Sequence, residues 1–414
     1  MKVLIIGAGI SGLSVANLLS ERKGISADIW ESNKKPGGLI ECDVVRGFLY
    51  HKVGGHVFNS KKTDVLNWFW GKFDKENEFV KVDRNAKILL QNKLVGYPLE
   101  NHLYQLDRKL ASQVVKDLIS ASKNDKVEKN FKEFLLNTFG RTLCDMYFFP
   151  YNEKIWQCNL EKVSLEWLEG KLPTPDLEKI IVDNIFKKKE DEMVHSTFFY
   201  PVKGGSQFIA NRLSEGLNIE YGLTVDSIQI HPHGVIVNNE FYEKLIFTGD
   251  VRELNFIIEG LSESAYSAVK NVTSLLSHGT SNILCECDPT DLSWLYIPES
   301  FTRAHRIIYT GNFSKFNNTN SQRSSCTVEF SGKLTEDEMI NELDKLPGNL
   351  VPLSSNHQKS SYVIHESKTK KSVETVKSEL AKHNVLLLGR FAEWEYFNMD
   401  TAIASAMSLV ENEF

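Results

Sequence analysis

The sequence predicts an α/β fold in which a Rossmann-like dinucleotide-binding domain is combined with a mixed-sheet substrate domain and a helical insertion. Three observations predict this class. A glycine-rich turn follows the first apolar strand, buried parallel-type strands return late in the chain, and a long segment with helical periodicity lies between them.

The amino-terminal residues have the order strand, glycine turn, helix, strand. In the turn, Gly7 permits a tight bend, Gly9 lets backbone N–H groups approach a pyrophosphate, and Gly12 lets the helix pack on the strand. The helix N-terminus adds partial positive charge. Glu31 follows at the spacing expected for an acid that binds ribose hydroxyls, with Ser32 next to it. The segment therefore predicts a dinucleotide site.

Size and composition restrict the class of protein. A chain of 414 residues with 42% hydrophobic and 25% charged residues is typical of a globular protein of two or three subdomains. The net charge of -6 gives no sign of a nucleic-acid partner. No apolar run reaches the ~20 residues of a membrane span. Because the chain starts at the Rossmann strand, we expect no signal peptide, a cytoplasmic location and reduced, buried cysteines.

The chain reads as interleaved pieces of three domains. Predicted elements include a helix at 63–71, helices within 106–119 and 131–139, buried strands at 244–248 and 385–388, and a last helix at 401–410. We expect these domains: a cofactor-binding domain from 1–56, 203–275 and 376–414, a mixed β-sheet domain from 57–101, 191–202 and 276–375, and a helical insertion from 102–190.

Two glycine pairs follow the first motif. Gly37-Gly38-Leu39 is either a surface turn or a second loop against a phosphate, and its closeness to the first motif favours the phosphate role. Gly54-Gly55-His56 would let the main chain pass flat against a planar ring, with His56 near that ring. The alternative is a hairpin glycine pair with a hydrogen-bonded core histidine, which the segment taken alone favours.

Two further segments combine charge with aromatic or capping residues. Gly389-Arg390 follows a buried strand, and Asn398 or Asp400 is expected to cap the final helix beside it. A fixed cation and free N–H groups there would stabilise an electron-rich ring; the alternative is a plain cap and a surface arginine. The stretch 147–156 is either a helix-packing cluster or a pocket wall with Lys154 for an anion.

Taken together, these segments resemble a family of flavoproteins. The glycine motif with Glu31, the Gly54-Gly55-His56 segment, the run 151–156 and the terminal segment 389–400 are similar to the UDP-galactopyranose mutases. They are also similar to protoporphyrinogen-oxidase-like, or amine-oxidase-like, proteins. The resemblance covers nearly the whole chain and implies FAD as the cofactor.

The resemblance also implies residue roles. His56 and Arg390 are the candidate catalytic residues. The implied cofactor-binding residues are Gly7, Gly9, Gly12, Glu31, Ser32, Gly38, Leu39, Gly55, His56, Val225, Gly389, Arg390, Asn398, Met399 and Asp400. The implied substrate-binding residues are Tyr151, Lys154, Trp156, Lys171, Tyr200, Arg303 and Arg306.

The implied activity is a pyranose–furanose mutase of nucleotide sugars in surface-glycan biosynthesis. In such enzymes the reduced flavin attacks the anomeric carbon through N5, so the protein supplies orientation and electrostatics. This requires reduction by NAD(P)H or another external reductant. A homodimer through the helical insertion is a further expectation.

One departure from the mutase pattern leaves alternatives open. Where mutases carry two arginines, this chain has Lys171 and Pro175, and Lys171 lacks the bidentate fork of arginine. Arg303, His305 and Arg306 could compensate, or the substrate carries no diphosphate. A flavin oxidoreductase of the amine-oxidase or protoporphyrinogen-oxidase type and a non-catalytic flavin-binding partner are the competing hypotheses.

Overall fold

The computed structural model describes residues 1–123, 127–165, 176–187, 196–319 and 322–414, and Lys171 lies outside these ranges. The strands are β1 (Lys2–Ile6), β2 (Ser26–Glu31), β3 (Cys42–Val45), β4 (Phe48–His51), β5 (Phe79–Asp83), β6 (Ala86–Leu90), β7 (Lys93–Gly96), β8 (Thr197–Pro201), β9 (Asn218–Tyr221), β10 (Ile228–His231), β11 (Gly234–Val237), β12 (Glu240–Tyr242), β13 (Lys244–Phe247), β14 (Ile258–Glu259), β15 (Ser277–Cys287), β16 (Trp294–Tyr296), β17 (Ala304–Ile308), β18 (Ser324–Ser331), β19 (Val351–Val363) and β20 (Val385–Leu387).

The helices surround these strands. They are α1 (Ile10–Ser20), α2 (Thr63–Lys72), α3 (Lys75–Glu78), α4 (Arg108–Ala121), α5 (Phe131–Leu143), α6 (Phe149–Trp156), α7 (Leu177–Ile185), α8 (Gly205–Ser214), α9 (Leu254–Ile257), α10 (Glu263–Val272), α11 (Glu336–Leu343), α12 (Thr369–Ala381) and α13 (Met399–Glu413). Among the described residues, no helix is both long and apolar enough to cross a membrane.

A five-stranded parallel sheet carries the glycine turn. Its order is β20-β13-β1-β2-β9, and every neighbouring pair is parallel. Side chains of β1 alternate between two cores: Val3 and Ile5 pack with α1 and α13, and Leu4 packs with residues of α10 and α12. Burial on both faces explains why the strands at 244–248 and 385–388 read as continuous apolar runs, as predicted.

A seven-stranded mixed sheet forms the second layer. Its order is β19-β15-β18-β17-β16-β6-β7; β16 and β6 are parallel, and the other neighbours are antiparallel. The 13-residue strand β19 was absent from the predicted elements. Its polar first half lies at the sheet edge, so it lacks the apolar alternation that marks a half-buried strand.

Helices α4 to α7 form the helical insertion, which packs on the mixed sheet. Asp107 and Asn130 cap α4 and α5 through side-chain hydrogen bonds to first-turn N–H groups. Buried residues at helical spacing, such as Phe131, Leu135 and Phe139, contact the core that also contains Trp294 and Tyr296 of the mixed sheet. The α/β fold class is confirmed, while the exact domain boundaries stay a prediction.

Candidate active site

A cavity of about 880 Å³ lies between the parallel sheet and the mixed sheet. Cofactor and small-molecule sites usually measure about 300–1,000 Å³. Its lining residues include these sequence-predicted ones: Gly7, Gly9, Glu31, Ser32, Gly38, Leu39, Gly55, His56, Val225, Arg306, Arg390, Asn398 and Met399. Residues from both ends of the chain thus meet at one cavity.

The glycine turn has the geometry of a dinucleotide loop. A Cβ atom on Gly9 would meet nothing within 4 Å, so this glycine faces open space in the cavity wall. A Cβ atom on Gly12 would lie 1.9 Å from the carbonyl oxygen of Gly7, so Gly12 is required for helix packing. The residues present therefore fit a pyrophosphate beside Gly9 and the N-terminus of α1.

Glu31 is fixed at the end of β2. Its Oε2 atom accepts a hydrogen bond from the backbone N of Ala8 at 2.7 Å, and its Oε1 atom accepts one from the N of Asn33 at 2.8 Å. The carboxylate is thereby tied to the glycine turn while it lines the cavity. This geometry fits a ribose-binding acid, and Val225 lines the same cavity.

The second glycine pair packs directly on the first turn. The N–H of Gly37 donates to the carbonyl of Ala8 at 2.9 Å, and Gly37 forms a parallel bridge with Gly9. A Cβ atom on Gly38 would approach the Cα atom of Gly9 to 3.3 Å. The two loops therefore form one continuous wall. The segment 37–39 is not an independent surface turn.

Gly55 is a glycine for a reason other than the predicted one. A Cβ atom there would lie 2.6 Å from Cγ2 of Ile308 and 3.3 Å from Cε2 of Phe313. The collision is with the mixed sheet and not with a ring in the cavity. Gly55 still lines the cavity through its main chain.

His56 has an unsatisfied ring nitrogen at the cavity. Its Nε2 atom is buried and has no hydrogen-bond partner among the described residues. Burial, together with the positive charges of Arg390 and Arg306, lowers the pKa of His56 to about 4. The ring is therefore neutral near pH 7. Because Nε2 has no partner among the described residues, His56 is not the fully hydrogen-bonded core histidine of the alternative interpretation.

Backbone carbonyls hold Arg390. Its Nε donates to the carbonyl of Phe397 at 3.2 Å, and its Nη1 donates to the carbonyl of Ser361 at 3.1 Å. The guanidinium also lies 4.5 Å from the ring centre of Tyr396. Desolvation lowers the pKa of Arg390, and no carboxylate of the described residues pairs with it. A surface arginine is therefore excluded.

The final helix begins beside Arg390 but lacks the predicted side-chain cap. Asn398 occupies the N-cap position without a capping hydrogen bond, and α13 starts at Met399. Asp400 and Gly389 are not among the residues that line the cavity. Gly389 has a φ of +96°, and a Cβ atom there would lie 2.5 Å from Oγ of Ser11. Its requirement is therefore local packing.

Arg306 enters the cavity from β17. Its Nη2 donates to Oε1 of Glu329 at 2.6 Å, and its buried Nε has no partner in the described part of the chain. The same carboxylate oxygen accepts from Nε2 of His305 at 3.2 Å and from Tyr362 at 3.3 Å. These positive and hydrogen-bonding neighbours lower the pKa of Glu329 to about 2 despite its burial, so this carboxylate is ionised.

Arg84 is a cavity residue that was not among those predicted from the sequence. This residue lies between β5 and β6 and lines the cavity. Its Nη2 donates to the hydroxyl of Tyr296 at 2.6 Å, and its guanidinium lies 5.3 and 5.0 Å from the ring centres of Tyr97 and Trp294. The signal in the sequence is an arginine two residues before the apolar strand Ala86–Leu90.

Three predicted substrate residues are corrected by their contacts. The hydroxyl of Tyr200 is fully buried, 2.7 Å from Nε2 of His51, and Tyr200 does not line the cavity. Arg303 is half exposed and pairs with Glu338 at 3.1 Å, also away from the cavity. Both side chains are engaged in local structure, which motif matching does not reveal.

Lys154 is the third correction. Its Nζ donates to four backbone carbonyls, those of Ile297, Glu299, Thr302 and Ala304, at 3.0, 2.6, 3.0 and 3.1 Å. With more carbonyl acceptors than protons, the ammonium has no capacity left for a substrate anion. It instead ties α6 to the loop between β16 and β17.

Tyr151 and Trp156 lie on α6 behind the cavity wall. The ring of Tyr151 packs edge-on against Tyr296 at 5.6 Å, and Trp156 packs edge-on against Tyr362 and Tyr396. Neither Tyr151 nor Trp156 is among the lining residues. Their predicted contact with substrate stays a prediction.

Comparison with known proteins agrees with this arrangement. The NAD(P)-binding Rossmann-like domain family matches residues 5–73. A crystal structure of reduced UDP-galactopyranose mutase superposes with a TM-score of 0.89 over 99% of this chain and 93% of that one, at 23% identity. The chain has the fold of the UDP-galactopyranose mutases. A putrescine oxidase bound to putrescine superposes more distantly, with a TM-score of 0.66 at 13% identity over 100% and 99% of the chains.

Sequence relatives carry related names. A dTDP-fucopyranose mutase of Escherichia coli is 25% identical over 257 residues, which are 60% of this chain and 63% of that protein. A UDP-galactopyranose mutase of Mycoplasma pneumoniae is 25% identical over 173 residues, 39% of this chain and 41% of that protein. The matched region thus spans less than two thirds of either relative. The predicted resemblance to the mutases and to amine-oxidase-like proteins is confirmed.

Proposed function

We propose that this chain is an FAD-dependent mutase that interconverts the pyranose and furanose forms of a nucleotide sugar. The observation that carries the proposal is one cavity lined both by the dinucleotide loop of the parallel sheet and by Arg306 of the mixed sheet. Two sequence relatives are named as mutases of nucleotide sugars, which supports this substrate class.

We infer that the cofactor-binding unit consists of residues 1–56, 203–275 and 376–414, with substrate contacts from the mixed sheet and the insertion. Gly9, Gly38 and Leu39 would hold the diphosphate of FAD, and Glu31 the adenosine ribose. His56 and Arg390 would face the isoalloxazine. When bound in its reduced form, FAD supplies a nucleophilic nitrogen for displacement at the anomeric carbon.

The chain's own residues would then act through orientation and electrostatics. Arg390 is a cation held by carbonyl oxygens, so its charge is available to an electron-rich ring. Neutral His56 offers an unpaired Nε2 at the same wall. Arg306 lines the cavity and has a buried Nε without a partner in the described ranges, so its guanidinium suits a phosphate oxygen of the substrate.

Product analysis tests the proposal. Dithionite-reduced protein loaded with FAD is incubated with UDP, GDP and dTDP sugars in pyranose and furanose forms, and the products are followed by NMR. We expect ring contraction or expansion of one sugar with reduced protein and none with oxidised protein. The absence of conversion across the panel, with no change of flavin fluorescence on binding, would contradict the mutase assignment.

A flavin oxidoreductase is the second candidate, supported by the structural likeness to putrescine oxidase. It predicts rapid substrate-dependent reduction of the bound flavin under anaerobic conditions, whereas a mutase consumes no reducing equivalents during turnover. The first proposal further includes NAD(P)H as the reductant, a cytoplasmic location, a role in surface-glycan biosynthesis and a homodimer.

A further inference from the structure

Two arginines approach the same part of the cavity from different segments. Tyr296 on β16 and Arg306 on β17 are directly opposed in the antiparallel ladder, so their side chains leave the same face of the mixed sheet. Arg84 donates from Nη2 to the hydroxyl of that same Tyr296 at 2.6 Å. Tyr296 is therefore hydrogen-bonded to Arg84 and lies opposite Arg306 on the neighbouring strand, and all three residues line the cavity.

The charges of the pair are only partly compensated. Arg306 shares the carboxylate of Glu329 with His305. Arg84 has aromatic neighbours and a tyrosine hydroxyl, and no carboxylate of the described residues pairs with it. The Nε atoms of both arginines are buried without hydrogen-bond partners in the described ranges. A desolvated cation without a counter-ion is costly, and an anionic ligand would remove that cost.

The geometry points to a two-arginine clamp in which Arg84, oriented by Tyr296, joins Arg306 in binding the diphosphate of the nucleotide sugar. This assignment rests on the proposed function and gives the diphosphate a second cation where Lys171 and Pro175 lack the arginine fork. Arg84 is a binding residue in this account, and Tyr296 is the residue that positions it.

Binding of UDP, UMP and uridine to FAD-loaded protein tests the clamp. Arg84→Gln should weaken UDP binding roughly 10- to 100-fold, since a charge-assisted hydrogen bond is lost, but should leave uridine binding nearly unchanged. Tyr296→Phe should give a smaller loss with the same phosphate dependence. Arg141→Gln is the matched control, because Arg141 lies on α5 with a side chain that is 70% exposed.

Three outcomes separate this assignment from others. Equal losses for UDP and uridine in Arg84→Gln, with a lowered melting temperature, would mean a purely structural arginine and overturn the clamp. Unchanged UDP binding together with slower flavin reduction by NAD(P)H would assign the anion to the reductant and also overturn it. If the wild type converts no sugar but binds pyrophosphate, and Arg84→Gln weakens that binding, the proposed function fails and the anion site stands.

Discussion

Nη2 of Arg306 and Oε1 of Glu329 form a 2.6 Å ion pair at the base of the cavity, where the carboxylate is 1% exposed and its second oxygen is buried without a partner in the described part of the chain. Only one carboxylate oxygen is used, by three donors. The pair therefore fixes the guanidinium through Nη2, while its buried Nε has no partner in the described part of the chain.

Removal of this carboxylate should destabilise the fold. Glu329→Ala leaves a buried arginine unpaired, which costs about 3–5 kcal/mol of unfolding free energy. Urea unfolding of the FAD-free protein measures this. Glu161→Ala, which removes an exposed partner of Lys132, is the control and should change stability by less than about 1 kcal/mol.

The same carboxylate predicts a pH dependence of stability. The pKa of Glu329 is lowered from 4.5 to about 2 in the folded protein. Its contribution is therefore fully present above the unfolded pKa and is lost as the pH falls from about 4.5 toward 2. Glu329→Gln should flatten the stability profile in this window, measured by urea midpoints at each pH. An unchanged profile would show that the carboxylate is not ionised in the native state.

Gly9 and Gly12 should respond differently to alanine. At Gly9 a methyl group points into open cavity, so Gly9→Ala should fold normally and lose most of its bound FAD. At Gly12 the methyl group collides with the Gly7 carbonyl, so Gly12→Ala should lose roughly 1–3 kcal/mol or more of stability even without cofactor. Flavin absorbance and thermal unfolding of both variants distinguish the effects. Normal FAD content in Gly9→Ala would place the pyrophosphate elsewhere.

His56 should remain neutral across the physiological range. Its pKa of about 4 means that its ring takes up a proton only well below about pH 5, unlike an exposed histidine. In NMR titrations of ring-labelled histidine, the resonance that His56→Gln removes should not shift between about pH 8 and 5. A midpoint near pH 6.5 for that resonance would mean that the ring is hydrated or paired with a carboxylate.

Lys154→Met should detach helix α6 from the loop that follows Tyr296. Four carbonyls lose their donor, so the loss of stability should be at least about 3 kcal/mol. Hydrogen exchange of amides 297–304 should increase in the variant. Lys382→Met, at an exposed lysine on the protein surface, should leave stability and hydrogen exchange unchanged. An equal response in Lys382→Met would contradict the role of Lys154 in holding α6 to this loop.

Local patterns were enough to predict the glycine turn and the acid that line one side of the cavity. Gly7, Gly9 and Glu31 are specified by neighbours in sequence, because a strand, a turn and a helix follow one another along the chain. The parallel strands were likewise visible as apolar runs, since both faces are buried. The role of Arg84 and Tyr296 was invisible, because their hydrogen bond joins residues 212 positions apart.

The same physical limit explains the errors. Lys154 lies in a motif, but its acceptors are about 143–150 residues away, so the sequence did not reveal that its charge is used internally. Tyr200 and Arg303 were placed by resemblance to a pattern, and their partners Asn317 and Glu338 come from other elements. Gly55 was expected to lie against a planar ring; it lines the cavity, but the neighbour that excludes a side chain is Ile308 of the mixed sheet.

Titration of the purified protein with FAD tests the central claim most directly. We expect a yellow complex with one flavin per chain. The fluorescence of the bound isoalloxazine should change in His56→Ala and Arg390→Ala, and the affinity for FAD should fall in Gly9→Ala. Protein that stays colourless after unfolding and refolding with excess FAD would contradict the assignment of the cavity, and the mutase and oxidoreductase proposals with it.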